Sequence, residues 1–150
     1  MQSQTVWSTP CINWGQIIVA VNGALLTFTG TALLLTPEWF YQTIGTFPPF
    51  NRHYTGDLGA FQLPLGVALL LAAKHPTQHR LLLWSVAGGN LLHAFNHAYD
   101  ALVDRAPGGH WLVDVAPLLI MALVLVAVIR EPEQRSRPEA PQKDVEPAGK

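Results

Sequence analysis

The first 129 residues of this 150-residue chain hold nine Asp, Glu, Lys and Arg side chains, and the last 21 hold ten. Soluble domains carry about 25% charged residues, whereas this chain carries 13% overall, with more than half of that in the tail. So few charges cannot cover the surface of a water-soluble fold. Four apolar segments fill the space between them, at about residues 15–35, 57–73, 81–98 and 112–129. About 20 apolar residues, rising about 1.5 Å each, cross a hydrocarbon layer of about 30 Å. The first and fourth segments also lack the polar stripe of helices in a soluble bundle. The second is short and contains Pro64, which a spanning helix accommodates with a kink. The first is a poor signal peptide: no Lys or Arg precedes it, its apolar core is too long, and no small-x-small site follows.

The expected fold is therefore all-α: a four-transmembrane-helix bundle over residues 1–129, followed by a disordered cytoplasmic tail over 130–150. The tail is rich in Pro and charge and nearly free of apolar residues. Orientation follows from Lys and Arg. With four crossings, one side holds Lys74, Arg80, Arg130, Arg135, Arg137, Lys143 and Lys150, and the other holds Arg52 and Arg105. Seven against two places both termini in the cytoplasm of a multi-pass protein of the inner (plasma) membrane. In the first outer loop, "TPEWFYQTIG" reads as a short interfacial helix. Thr36 is its N-cap, Pro37 opens the first turn, Glu38 sits near the positive end and Gly45 stops it. Trp39, Phe40 and Tyr41 suit the membrane interface. The segment "KHPTQHR" is a cytoplasmic turn, and Gly88-Gly89 reads as a place of close helix approach.

The third segment ends in "NLLHAFNHAYDALVD". At about 100° per residue, Asn90, His93, His97, Asp100 and Asp104 share one helix face. His53 and Asp57 mark the outer end of the second span, and His110 and Asp114 that of the fourth. Ionisable groups at membrane depth are costly and turn to the bundle interior, where they pair. Two readings follow. In one, the groups form a hydrogen-bonded network that ties helices together. In the other, His93, His97 and Asp100, with His53 or Asp57, hold a transition metal ion such as Zn, Fe or Cu. Histidines at i and i+4 reach one ion from a helix face, and a carboxylate completes the shell. Proton relay and haem ligation, with His93 and His53 as the axial pair, also remain open.

At "PEWF…FPPFNRHYTGDLGAF…HAFNHAYD" the chain resembles the small DoxX-like four-helix bacterial membrane proteins. The shared phrases fall on Pro49, Phe50, Asn51, His53, Asp57 and Gly59, then on His93, His97 and Asp100. The resemblance covers about residues 15–129 and implies a four-helix membrane bundle, without implying a reaction. Those proteins often carry Arg just before the helix-two Asp, where this chain has Gly56, so a positive partner for Asp57 comes from elsewhere, such as Arg52, or is replaced by a metal or a histidine.

The net charge of −1 argues against nucleic acid as a partner. Cys11 is the only cysteine, which excludes an internal disulfide and a Cys-x-x-Cys pair. The implied partners are the lipid bilayer and either a second copy or another membrane protein. The functional alternatives are a cluster with metal, redox or proton chemistry and a structural or accessory subunit. A transporter fits less well, because four short spans leave little room for a pathway.

Overall fold

The computed structural model describes residues 13–46, 48–103 and 109–131. Its elements are α1 (Trp14–Leu35), α2 (Pro37–Thr43), α3 (Arg52–Ala72), a 3₁₀ turn (Pro76–His79), α4 (Arg80–Val103), a π-helical turn (Trp111–Val115) and α5 (Ala116–Arg130). All regular structure among the described residues is helical. Three helices are long and apolar enough to cross a membrane: Trp14–Leu35, Arg52–Ala72 and the continuous Trp111–Arg130. They point to a membrane protein. α4 has the length, with 24 residues, but its His, Asn and Asp content sets it apart from these three. The outward surface agrees, since Phe28, Phe61, Leu71, Leu92, Leu112 and Leu123 are all exposed. A soluble monomer rarely leaves such a continuous apolar surface.

Each start has a local cause. Asn13 caps α1, accepting from Gln16 N–H at 2.8 Å while its own N–H donates to the Gln16 side chain at 3.0 Å. Asn51 caps α3, accepting from the N–H groups of His53 and Tyr54. That cap starts α3 at Arg52, five residues ahead of the apolar run, so Asp57 lies in its second turn rather than at its start. α3 also runs unbroken through Pro64. α2 forms as expected and ends at Thr43. Thr36 does occupy its N-cap position, but makes no side-chain cap bond. Its hydroxyl donates instead to Ala32 C=O at 3.1 Å, closing the end of α1. Hydroxyls within the apolar helices are satisfied in the same way: Thr27 donates to Gly23 C=O and Thr31 to Thr27 C=O, both at 2.7 Å. Residues 132–150, with most of the expected tail, lie outside the described residues, as do Asp104 and Arg105.

Packing is chiefly pairwise. α1 lies against α3, α4 lies against α5, and the two pairs meet along α1 with α5 and, more lightly, α3 with α4. The close approach is between α1 and α3. A Cβ on Gly23 would come 2.8 Å from Leu70 N, and one on Gly59 would come 2.8 Å from the Gly30 carbonyl oxygen. A Cβ on Gly66 would collide with the Thr27 backbone nitrogen. Gly88 and Gly89 play no such part, because a Cβ at either meets nothing within 4 Å. They sit on α4, whose contact with α3 is slight. A core of Val19, Leu69, Leu83 and Leu125, all buried, closes the end of the bundle nearest the α1 N-terminus. There Gln16 donates to Lys74 C=O at 2.8 Å and Arg80 to Glu131 C=O at 3.2 Å.

Candidate functional site

The opposite end of the bundle is open. A cavity of about 470 Å³ lies between α2, the C-terminal halves of α1 and α4, the N-terminal half of α3, and the π-helical turn with the start of α5. This volume falls within the range of small-molecule sites, about 300–1,000 Å³. Phe40 and Tyr41 come from α2, Phe50 from the loop and Tyr54 from α3. The Tyr41 and Phe50 rings pack together with centroids 5.0 Å apart. Leu33, Ile44, Leu58, Val113 and Leu118 supply aliphatic surface.

Polar groups enter this wall at few points. His93 and His97, one turn apart on α4, both line the cavity. Their Nε2 atoms are 3.0 Å apart and their rings stack at 4.7 Å between centroids. One imidazole donates and the other accepts, so the two rings hold complementary tautomers. Asp114 lines the same cavity, with its Oδ2 2.8 Å from His110 Nδ1. Across the α1–α3 interface the Gln62 amide donates to the Thr29 hydroxyl at 2.5 Å, and both residues face the cavity.

Asp114 lies in the π-helical turn. Pro117 has no N–H to give to the carbonyl four residues back. The turn widens, and Ala116 N–H reaches the Trp111 carbonyl, five residues away. Such π-turns recur at functional sites.

The five residues expected to share a centre are divided. His93 and His97 form one pair. His53 and Asp57 form a second, 3.5 Å apart, with side chains 80% and 55% exposed, and neither lines the cavity. Asp100 accepts from the Asn96 amide at 3.2 Å and does not line the cavity. Among the described residues no group of three or more His, Cys, Asp or Glu is placed to hold a metal ion. The physical reason is the slight contact between α3 and α4: α3 turns to α1, and its N-terminal His-x-x-x-Asp stays at the rim. The partner of Asp57 is His53 rather than Arg52.

Sequence reasoning singled out His93, His97 and Asp114 but missed the aromatic wall and the Gln62–Thr29 link. Of the wall, Phe40 and Tyr41 read as interface residues, the usual role of such side chains beside a span, and Phe50 and Tyr54 carry no signal of their own. Thr29 carried no signal, since a threonine in an apolar helix most simply bonds its own backbone. Deeper in the bundle, Asn22 and Asn90 are buried at 3% and 6% exposure. Asn22 donates to Ile18 C=O at 2.9 Å, while Asn22 Oδ1 and Asn90 Nδ2 have no hydrogen-bond partner among the described residues.

No curated protein matches the chain, and no solved structure does. The family match does not confirm the DoxX-like resemblance. A family model does match residues 9–144, nearly the whole chain, so the chain belongs to the family of unknown function DUF6632.

Proposed function

We propose that this protein is a four-span integral membrane protein with both termini cytoplasmic, and that its outer cavity binds a small amphipathic molecule. α4 is the fourth span, its polar side chains turned to the cavity and to the outer end. The four-span count is also what the DoxX-like resemblance implies. α2, with its exposed Trp39, lies along the interface. The observation that carries the binding reading is the cavity itself: apolar and aromatic walls with a few convergent polar groups, the general form of a ligand site. The apolar body of the ligand lies against Leu58, Val113 and Leu118, and its polar end meets His93, His97 and Asp114.

The test uses a Leu118→Cys variant in a Cys11→Ser background, held in lipid nanodiscs so that both faces are accessible. Water-soluble methanethiosulfonate reagents should modify this cysteine. Adding Leu58→Trp, which fills the cavity, should slow modification about tenfold or more. Leu102→Trp, on the outward face of α4, should leave the rate unchanged. A Leu118→Cys thiol inert to every reagent, or one indifferent to Leu58→Trp, would overturn the reading.

One observation favours a second reading. Two imidazole nitrogens on one tetrahedral zinc ion, at about 2.0–2.1 Å each, stand about 3.3–3.4 Å apart, and the His93 and His97 Nε2 atoms, 3.0 Å apart, need open by only about 0.3 Å to reach that separation. In this reading the pair holds a Zn, Fe or Cu ion whose shell the ligand completes. His53, Asp57 and Asp100 join only if α3 and α4 close. Elemental analysis of the purified protein decides it: stoichiometric metal lost in His93→Ala/His97→Ala supports the ion, and metal-free folded protein rejects it.

A further inference from the structure

We infer that the occupant of the outer cavity is an organic cation: a protonated or quaternary amine joined to an apolar or aromatic body. This rests on the cavity being the binding site proposed above.

The argument is one of charge and ring chemistry. Four of the described lining residues are Phe40, Tyr41, Phe50 and Tyr54. Their faces carry the negative lobe of the ring quadrupole, which attracts a cation held within about 6 Å. The one charged side chain among the described lining residues is the carboxylate of Asp114, and no Lys or Arg is among them. A site for an anionic headgroup has the reverse composition, with Arg or Lys presented to the anion. Asp114 is also largely withdrawn from solvent, its side chain 14% exposed. In such surroundings a carboxylate acts on a nearby charge more strongly than it does in water. When His110 is neutral, its Nδ1–H orients Asp114 without cancelling the charge.

The approach to the cavity has the same sign. Among the described residues of the segments bounding this end, 36–57 and 100–114, the acidic groups are Glu38, Asp57, Asp100 and Asp114, and the one Lys or Arg is Arg52. Four described acidic groups against one Arg give this end a negative sign, and a cleft of one charge sign concentrates the opposite ion. The His93–His97 pair is consistent with this occupant. Its two imidazoles already satisfy each other at Nε2, so the ligand need not bring an anion to them.

The labelling system described above tests the inference separately from the existence of the cavity. The Leu118→Cys variant is treated with a trimethylammonium-bearing methanethiosulfonate and, separately, with its sulfonate-bearing counterpart. Each rate is divided by the same reagent's rate with a free thiol. The cationic reagent should be favoured by about tenfold or more, the lower end of what a focused cleft does to a counter-ion's on-rate. Benzyltrimethylammonium should protect the cysteine from modification, and benzenesulfonate should not. In an Asp114→Asn variant the preference should fall toward unity while the sulfonate reagent's rate holds or rises, which shows that the cavity survives the substitution. Equal normalised rates at Leu118→Cys, or protection by the sulfonate, would sink the cation assignment and leave the cavity standing. An unreactive Leu118→Cys would sink both.

Discussion

Gly66→Ala is the sharpest test of how the bundle is held together. A Cβ at this position would stand 2.6 Å from the Thr27 hydroxyl oxygen and 2.8 Å from the Leu26 carbonyl carbon, besides striking the Thr27 nitrogen. Carbon atoms pack at about 3.5–4.0 Å, so α1 and α3 must part locally by about 0.7 Å or more. Two of the obstructing atoms are backbone and cannot rotate away. A gap of about 0.5–1 Å forfeits about a quarter to a half of each contact's well of about 0.1–0.2 kcal/mol. Over about 40 atom pairs, the number one buried leucine makes, the loss is about 2 kcal/mol. Overpacked cores lose a similar amount, about 1–3 kcal/mol. Alanine also favours the helix over glycine by about 1 kcal/mol, so the comparison must be with another Gly→Ala on a helix. Gly88→Ala is that control, because its Cβ meets nothing within 4 Å. Thermal unfolding of both variants in one detergent should place Gly66→Ala about 4–8 °C below Gly88→Ala, at about 2–4 °C per kcal/mol for a chain of this size. Equal midpoints would refute the claim that glycine lets α1 and α3 touch.

Two further predictions bear on the frame of the cavity. Asn51→Ala removes the side chain that accepts from His53 and Tyr54 N–H. It should cost about 0.5–2 kcal/mol of stability and speed amide exchange at residues 52–55, while Asn51→Asp keeps the cap; unchanged exchange in Asn51→Ala would contradict the cap's role. Gln62→Leu and Thr29→Val each break the one described side-chain bond between α1 and α3 at cavity depth. A double-mutant cycle by thermal unfolding should give a coupling of about 0.6–1.7 kcal/mol, and strictly additive effects would show that the contact contributes nothing.

Much of the fold was readable in the sequence because lipid imposes a length and a polarity on whatever crosses it. The apolar runs at 15–35 and 112–129 became helices within one residue at each end, since a continuous apolar run of that length satisfies its backbone only as a helix. The short helix after Thr36 was legible for a similarly local reason, Pro37 and Glu38 at its start. The α3 start was misplaced because its cap, Asn51, lies outside the apolar run. The glycine contacts were legible in principle: Gly23 and Gly30 are seven residues apart, and so are Gly59 and Gly66. That spacing keeps them on one seam of a helix pair, whereas the adjacent Gly88-Gly89, which drew notice first, face open space.

The sequence alone determined the helical content, the apolar exterior, and the gathering of His and Asp at one end of the chain's hairpins. These are properties of single segments against a uniform solvent. Which of those polar groups meet was decided only in three dimensions. His93 meets His97 because they are one turn apart on one helix. His53 and Asp57 stay at the rim because the glycines of α1 and α3 hold those two helices together, and Asp114 lines the cavity from the π-helical turn. Pairing depends on which helix faces chosen from several apolar candidates pack most closely, and no single segment carries that information.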